Sequence, residues 1–519
     1  MNPRIIALYL PQFHRIPEND TWWGEGFTEW TAVKNAMPLF PQHEQPNVPL
    51  NDNYYNLLDK KTMQWQASLM HKYGIDGMCM YHYYFKDGRK VLEKPAENLL
   101  RWKDINMPFC FDWANESWVR SWSKLKEYAN PWSEKFETEK NRNECENKNG
   151  ILLEQDYGDE NAWRDHYNYL SPFFHDERYI KIGNSPVFVI YNPDHIQCLP
   201  EMKECFDKCA MLDGFDGVYL IGGQPEKENS LVFSLTMEKN PAYIKGKVVE
   251  KKFDFRYGVS DFSEYDDVSM MIIEHQLKEG ECPCAFPGYD DTPRRGRGGS
   301  VVHGRNPEMF QEQMEQLLLK AKKINVPFVF INAWNEWGEG MYLEPDDRYG
   351  YSFLEAVLKA RDNFEKGRVT DETEKPANVI WSLRQENSAL KEQNVRYRDY
   401  WKAMDRILCI LENGDSISGY LERYGKHETI IIYGMGMLGK HLFYLLQNAN
   451  ENITSVIDQK VLTGSHNYDG VPMYNMMDEI PYADMIIVTV MYSYDDIRRE
   501  LKTKFPESCV VSIDDVIGK

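Results

Sequence analysis

An apolar run, FVFINAW (328–334), opens abruptly onto Asn335, Glu336 and Glu339, with Trp337 lying between the acids. Two carboxylates so close together among indoles suit the cleavage of a glycosidic bond. One acid must protonate the departing oxygen, which calls for a raised pKa. The other must be ionised, to stabilise or react with the oxocarbenium centre that develops. Indoles supply the low dielectric that lifts one pKa, and a flat face for sugar C–H groups. Asn335 is suited to hydrogen-bond a hydroxyl or to fix a carboxylate. A plainer reading is that both acids cap the following loop or pair with surface cations.

The elements that would position these residues can be read from the pattern of apolar runs. RIIALYL (4–10), GMCMYHYYF (77–85), PFCFDW (108–113), PVFVIYN (186–192), GVYLIGG (217–223) and VPFVFINAW (326–334) are continuous rather than alternating. Continuous runs imply strands buried on both faces, hence a parallel sheet. Between them lie amphipathic segments such as 309–324, with Met314, Leu317, Leu318 and Ala321 on one face. Alternating β and α over residues 1–365 predicts an α/β fold, a (β/α)8 barrel, rather than an open doubly wound sheet. The stretch 225–290 yields no clean assignment. In such a barrel the loops after the strands form the active face, so Glu336 and Glu339 should point into its mouth.

Beyond the barrel the chain changes character. Residues 366–379 are charged and read as a linker. From Ile380 to 413 a heptad can be written, with Ile380, Asn387, Asn394, Trp401 and Leu408 on one seam and Leu383, Leu390, Tyr397, Met404 and Leu411 on the other. Seam asparagines suit a parallel coiled coil, which predicts a homodimer through 380–411; the alternative is a long helix packed against the barrel. Residues 426–519 form a small Rossmann-like α/β domain. There GMGMLG (434–439) follows a strand and opens a helix, and Asp458 ends the next strand. In a dinucleotide fold Gly434, Gly436 and Gly439 would let backbone amides approach a pyrophosphate, and Asp458 would take a ribose hydroxyl. With fewer than a hundred residues available, a structural or partner-docking role competes with nucleotide binding.

Composition narrows the function classes. The chain has 519 residues and a formal net charge of -21, which argues against a nucleic-acid partner. Ten scattered cysteines without paired metal-ligand spacing read as reduced thiols, and no metal is expected. The N-terminal apolar run breaks at Pro11, too early for a secretion signal, and no run reaches the length of a membrane span. A cytoplasmic location is the expectation.

The sequence NEWGEG followed by LEP (335–340, 343–345) resembles the Asn-Glu-Trp-His-Glu-Gly…Glu-Pro motif of glycoside hydrolase family 99, the endo-α-mannosidases. YLPQFHRIPENDTWWGEGFTEW (9–30), FDWANESW (111–118) and PGYDDTPRR (287–295) are closer still to its WbsX-like relatives, found in bacterial O-antigen and capsule gene clusters. The resemblance implies a (β/α)8 barrel and a retaining reaction without a covalent enzyme–sugar bond. The residue matching Glu336 would act as base on the substrate's own 2-hydroxyl. The residue matching Glu339 would be the acid, then the base that activates water. This sequence has Gly338 where the mannosidases carry His, and MYLEP replaces their following residues, but the carboxylate pair is intact.

Around that pair, Tyr9, Trp30, His82, Tyr83, Trp113, Asn115, Glu116, Tyr289, Asp290, Asn335, Trp337 and Glu344 stand at strand ends or in these motifs as candidate glycan contacts. Glu25 and Glu29 are either a cleft wall or a solvated helical pair. Arg294 and Arg295 would grip an anionic group or anchor the neighbouring aspartates. The expectation is a glycoside hydrolase, endo-acting on a bacterial polysaccharide, with no cofactor needed for the chemistry. A glycosyltransferase and a non-catalytic glycan-binding scaffold are the alternatives.

Overall fold

The computed structural model describes residues 2–119, 151–225, 229–247, 258–370, 400–410, 412, 416–459, 461, 466–491 and 494–517. The chain divides into two compact units, Met1–Lys375 and Pro376–Lys519. The expected linker after 370 and most of the expected coiled coil lie outside the described residues.

In the first unit the strands are β1 (Arg4–Tyr9), β2 (Gly77–Tyr84), β3 (Phe109–Trp113), β4 (Ser185–Ile190), β5 (Tyr219–Gly223), β6 (Leu235–Met237), β7 (Glu281–Cys282), β8 (Cys284–Ala285) and β9 (Phe328–Ile331). They pair in parallel in the order β7-β6-β5-β4-β3-β2-β1-β9-β8. Only Pro283 separates β7, at one end of that order, from β8 at the other, and its carbonyl accepts the Phe330 N–H at 2.9 Å. The sheet thereby closes on itself, and the unit is a (β/α)8 barrel.

Helices cover the ring. Lys60–Lys72, Lys94–Arg101, Glu160–Phe174, Leu199–Leu212, Tyr265–Glu274 and Pro307–Lys323 lie between successive strands, and Ser352–Glu365 follows β9. The helix at 307 starts where it does because Pro307 opens it and the Asn306 side chain accepts from the Glu308 and Met309 amides. Its apolar face, Met314, Leu317, Leu318 and Ala321, is buried. Both faces of the strands are buried as well, with every residue of β3 and β9 inaccessible. The unassigned stretch holds β6, β7 and β8, which are too short to show a period.

The second unit contains a six-stranded sheet with five parallel strands in the order Val471–Tyr474, Ile453–Ile457, Ile430–Tyr433, Met485–Val488, Cys509–Ser512, and His466–Tyr468 antiparallel at the edge. In chain order this is 3-2-1-4-5, the arrangement of the first strands of a doubly wound nucleotide fold. Helix 400–410 buries Ala403, Ile407 and Ile410 in this unit's own core and leaves Trp401 and Leu408 exposed. Among the described residues no helix is long and apolar enough to cross a membrane.

Candidate active site

Beyond β9 the chain turns back on itself as a hairpin, β10 (Asn335–Glu336) against β11 (Met341–Tyr342), around a tight turn at Trp337–Glu339. Asn335 ties this hairpin to the end of β1. Its Oδ1 accepts the Leu10 N–H at 2.7 Å and its Nδ2 donates to the Leu10 carbonyl at 3.0 Å. Glu344 fixes it from beneath. One carboxylate oxygen accepts from Gln66 (2.7 Å) and the Trp334 indole (2.9 Å), the other from Tyr55 (2.7 Å) and the Trp337 indole (2.8 Å). Burial pushes the Glu344 carboxyl up to about 7, against the pull of those four donors. Trp337 is further locked by stacking on Tyr342, ring centroids 3.7 Å apart.

Held this way, Glu336 and Glu339 converge on a single guanidinium. Arg294, from the short helix Thr292–Arg295 in the loop after β8, donates from one terminal nitrogen to Glu336 Oε2 at 2.9 Å and from the other to Glu339 Oε1. Its Nε donates at 2.7 Å to Glu29, the first residue of helix Glu29–Lys34 in the loop after β1. Three loops from the carboxyl ends of β1, β8 and β9 therefore meet at one cation. Arg294 is held far above its usual range: burial opposes its charge, and the three carboxylates outweigh burial. Glu336 is pushed up to about 8, first by burial, with Arg294 opposing and the charges of Glu339 and Glu29 adding to the rise. Glu339 retains 27 % side-chain exposure against 8 % for Glu336, so the pair has one wetter and one drier member.

Tyr81, Tyr83 and Tyr191 stand close enough to feel the Glu336 charge, although burial is the main cause of their raised hydroxyls. Next to them Lys239 bonds Asp112 at 2.9 Å and lies 3.3 Å from the Tyr191 ring centre. Burial lowers Lys239 and raises Asp112, each offset by the other. Tyr289 donates to Asp291 at 3.1 Å. Asp291 rises to about 6 through burial, opposed by Arg295 and assisted by Glu339.

The candidate contacts divide by burial. Tyr83, Glu116, Tyr289 and Asp290 are partly exposed. Glu116 lines a depression with Ser117, Tyr157 and His195, and accepts from Asn192 at 3.0 Å. Burial would raise Asp290, but hydrogen bonds from His43, Thr292 and Gln45 hold it low. The other eight are buried and bonded to protein. Tyr9 donates to Gln66, Trp30 to the Tyr55 carbonyl and Trp113 to the Tyr84 carbonyl. Asn115 bonds both backbone groups of Asn192. His82 contacts His166 at 2.9 Å, and burial drives it down to about 3, so it is neutral. Asn335, Trp337 and Glu344 are likewise buried, as is Glu336 itself at 6 %.

Glu29 and Arg294 were only weakly marked in the sequence. The Glu25/Glu29 spacing misleads, because Glu25 is exposed beside Arg15 while Glu29 is buried. Lys239 and Tyr191 carry no signal beyond standing just past strand ends. In the second unit, Gly434 has φ 92°, Gly436 precedes helix Met437–Asn448, and Gly439 packs against the Gly434 carbonyl with no room for a Cβ. Asp458 accepts the Met435 N–H at 2.7 Å. Elsewhere Glu238, His275 and Glu281 bring ligand-type atoms within 4.8 Å of one another, but Lys320 is near enough to answer the Glu238 charge, and no metal is assigned there.

A closed (β/α)8 barrel with a convergent acid pair at its mouth defines the class. The chain belongs to the family described as Glycosyltransferase WbsX, which it matches over residues 5–357. It is 30% identical over 375 residues to the uncharacterized protein WxcX of Xanthomonas campestris pv. campestris, in two strains, covering 69% of this chain and 49% of those proteins. It thus spans about half the length of the curated relatives it matches. Among solved structures, the GH99 endo-alpha-mannosidase from Bacteroides thetaiotaomicron gives a TM-score of 0.43 at 14% identity, covering 70% of this chain and 98% of that one. A glycoside hydrolase-like protein gives 0.41 at 12%, covering 69% and 94%.

Proposed function

We propose that this chain is a glycan-cleaving enzyme, a retaining and endo-acting glycoside hydrolase whose substrate is a bacterial polysaccharide of the O-antigen or capsule type. The observation that carries this reading is the convergence of Glu336 and Glu339 on one guanidinium, with one acid drier than the other.

In the first step Glu336 takes the proton of the sugar's 2-hydroxyl as that oxygen attacks the anomeric carbon. The glycosidic bond breaks, and Glu339 gives its proton to the departing oxygen. In the second step Glu339 takes a proton from water, which attacks the same carbon. The 2-oxygen is released and recovers its proton from Glu336. Both carboxyls end as they began, and two displacements retain the configuration. The carboxyl that burial raises is thus the base, contrary to the expectation that the raised acid is the proton donor; its ionised form, a minority below pH 8, is a stronger base than an ordinary carboxylate. Tyr81, Tyr83, Tyr191 and Tyr289 supply hydroxyls and ring faces at the mouth, and no cofactor is needed for these steps.

The family's description favours a second reading, transfer from a sugar nucleotide. Against it, the two described cations beside the acid pair are already paired, Arg294 with three carboxylates and Lys239 with Asp112, which among the described residues leaves little positive charge there for a diphosphate. The test is incubation with the surface or lipid-linked polysaccharide of the host cell, alone and with sugar nucleotides. Chain shortening that Glu339→Gln abolishes supports hydrolysis. Release of nucleoside diphosphate without shortening would replace it with transfer. A scaffold would bind glycan equally well with Glu339→Gln and turn over nothing.

A further inference from the structure

The acid pair alone does not explain why Glu29 and Arg294 lie where they do. Arg294 comes from the loop after β8 and presents all three guanidinium nitrogens to carboxylates of the loops after β1 and β9. Glu29 is buried, with 3 % side-chain exposure, and its partner in the structure is the Arg294 Nε at 2.7 Å. A methyl group on Gly338 would overlap Glu29 Oε1 and lie 2.8 Å from Arg294 Nε. The backbone at 338 is not in the left-handed region, so the glycine answers crowding and not a turn.

We propose that Arg294 is the positioning residue of the acid pair: it holds Glu336 and Glu339 toward one point, Glu29 braces it, and the bare backbone at Gly338 admits that brace. The inference rests on reading Glu336 and Glu339 as the reacting pair. Position 338 lies in the middle of the motif, between the two acids it indirectly serves. Any side chain there would displace Glu29, Arg294 or both.

Among the described residues, the groups facing Glu336 are Arg294, Glu29 and Glu339, and the hydroxyls of Tyr81, Tyr83 and Tyr191. Arg294 is the cation among them, so its removal must shift the Glu336 titration upward. The experiment is isotope-edited infrared titration of the glutamate carboxyl band in the full chain, with the Glu336 component assigned by its loss in Glu336→Gln. Arg294→Met is expected to raise the Glu336 midpoint by about 1 to 3 pH units. Arg294→Lys should restore part of the shift, and Gly338→Ala should reproduce a smaller one. Where turnover is measurable, Arg294→Met should lower kcat about 100-fold with little change in KM. An unchanged midpoint in a folded Arg294→Met, or in Gly338→Ala if the former does not fold, overturns the proposal. The titration needs no turnover, so it decides the role of Arg294 even if no glycan is cleaved.

Discussion

Glu336 and Asp458 both stand just beyond the carboxyl end of a parallel strand, one at the mouth of the barrel and the other beside the glycine turn of the second unit. Their partners differ. Glu336 meets a guanidinium delivered by a different loop, shared with a second and a third acid. Asp458 accepts a backbone amide, Met435 N–H, from the glycine turn itself. The first arrangement gathers charge from three loops at a point where Arg294 and Glu339 keep 23 % and 27 % side-chain exposure. The second stitches a turn to its own sheet.

The comparison breaks most visibly at the acids. Glu339→Gln should lower kcat on a cleavable polysaccharide by about 10²- to 10⁴-fold, read as the rate of new reducing ends, while Asp458→Asn leaves that rate unchanged. The pH profile sharpens the assignment of roles. If Glu336 acts ionised while Glu339 acts protonated in the same step, kcat/KM should follow a bell whose limbs belong to the two carboxyls, with one limb near 8. A profile without an inflection near 8 would remove Glu336 from the reacting pair.

Stability separates the regions next. Glu344→Gln removes acceptors from a fully bonded buried carboxylate and should destabilise the barrel by about 1–3 kcal/mol, seen in thermal denaturation. The Glu344 carboxyl in the folded chain, at about 7, lies above its unfolded value. Its stabilising share is therefore complete in acid and lost as pH rises through 7, so the gap between wild type and variant should narrow toward neutrality. Gly439→Ala, whose Cβ would overlap the Gly434 carbonyl oxygen, should cost the second unit about 1–3 kcal/mol and leave turnover untouched. The smallest effect belongs to Asp458→Asn, about 0.5–1.5 kcal/mol for weakening the bond from the Met435 N–H. A dinucleotide titration of the same variant, followed by calorimetry, asks whether the acid also serves a ribose: binding in wild type that the variant loses would erase the contrast drawn here.

Much of the barrel was legible because strands buried on both faces read as continuous apolar runs. β6, β7 and β8 were not, since two or three residues broken by Pro283 show no period. Glu336 and Glu339 stood out because carboxylates rarely follow an apolar run among indoles. Arg294 carries no such mark, because its role exists only where three loops distant in sequence meet. The indoles were read as sugar platforms, yet Trp334 and Trp337 are sealed and turn their N–H groups to Glu344. An amphipathic ring beside an acid looks the same in sequence whichever way it faces. Asn335 illustrates the same ambiguity, being a side chain that pairs with a peptide and not with a hydroxyl.

Asn335 engages both the N–H and the C=O of Leu10, as a neighbouring strand would. The acid-bearing loop thus takes its position from the seam where the first and last barrel strands meet. Transplanting the six-residue motif into a scaffold without that peptide would carry the letters and lose the alignment, whereas insertions far around the ring should be harmless to it.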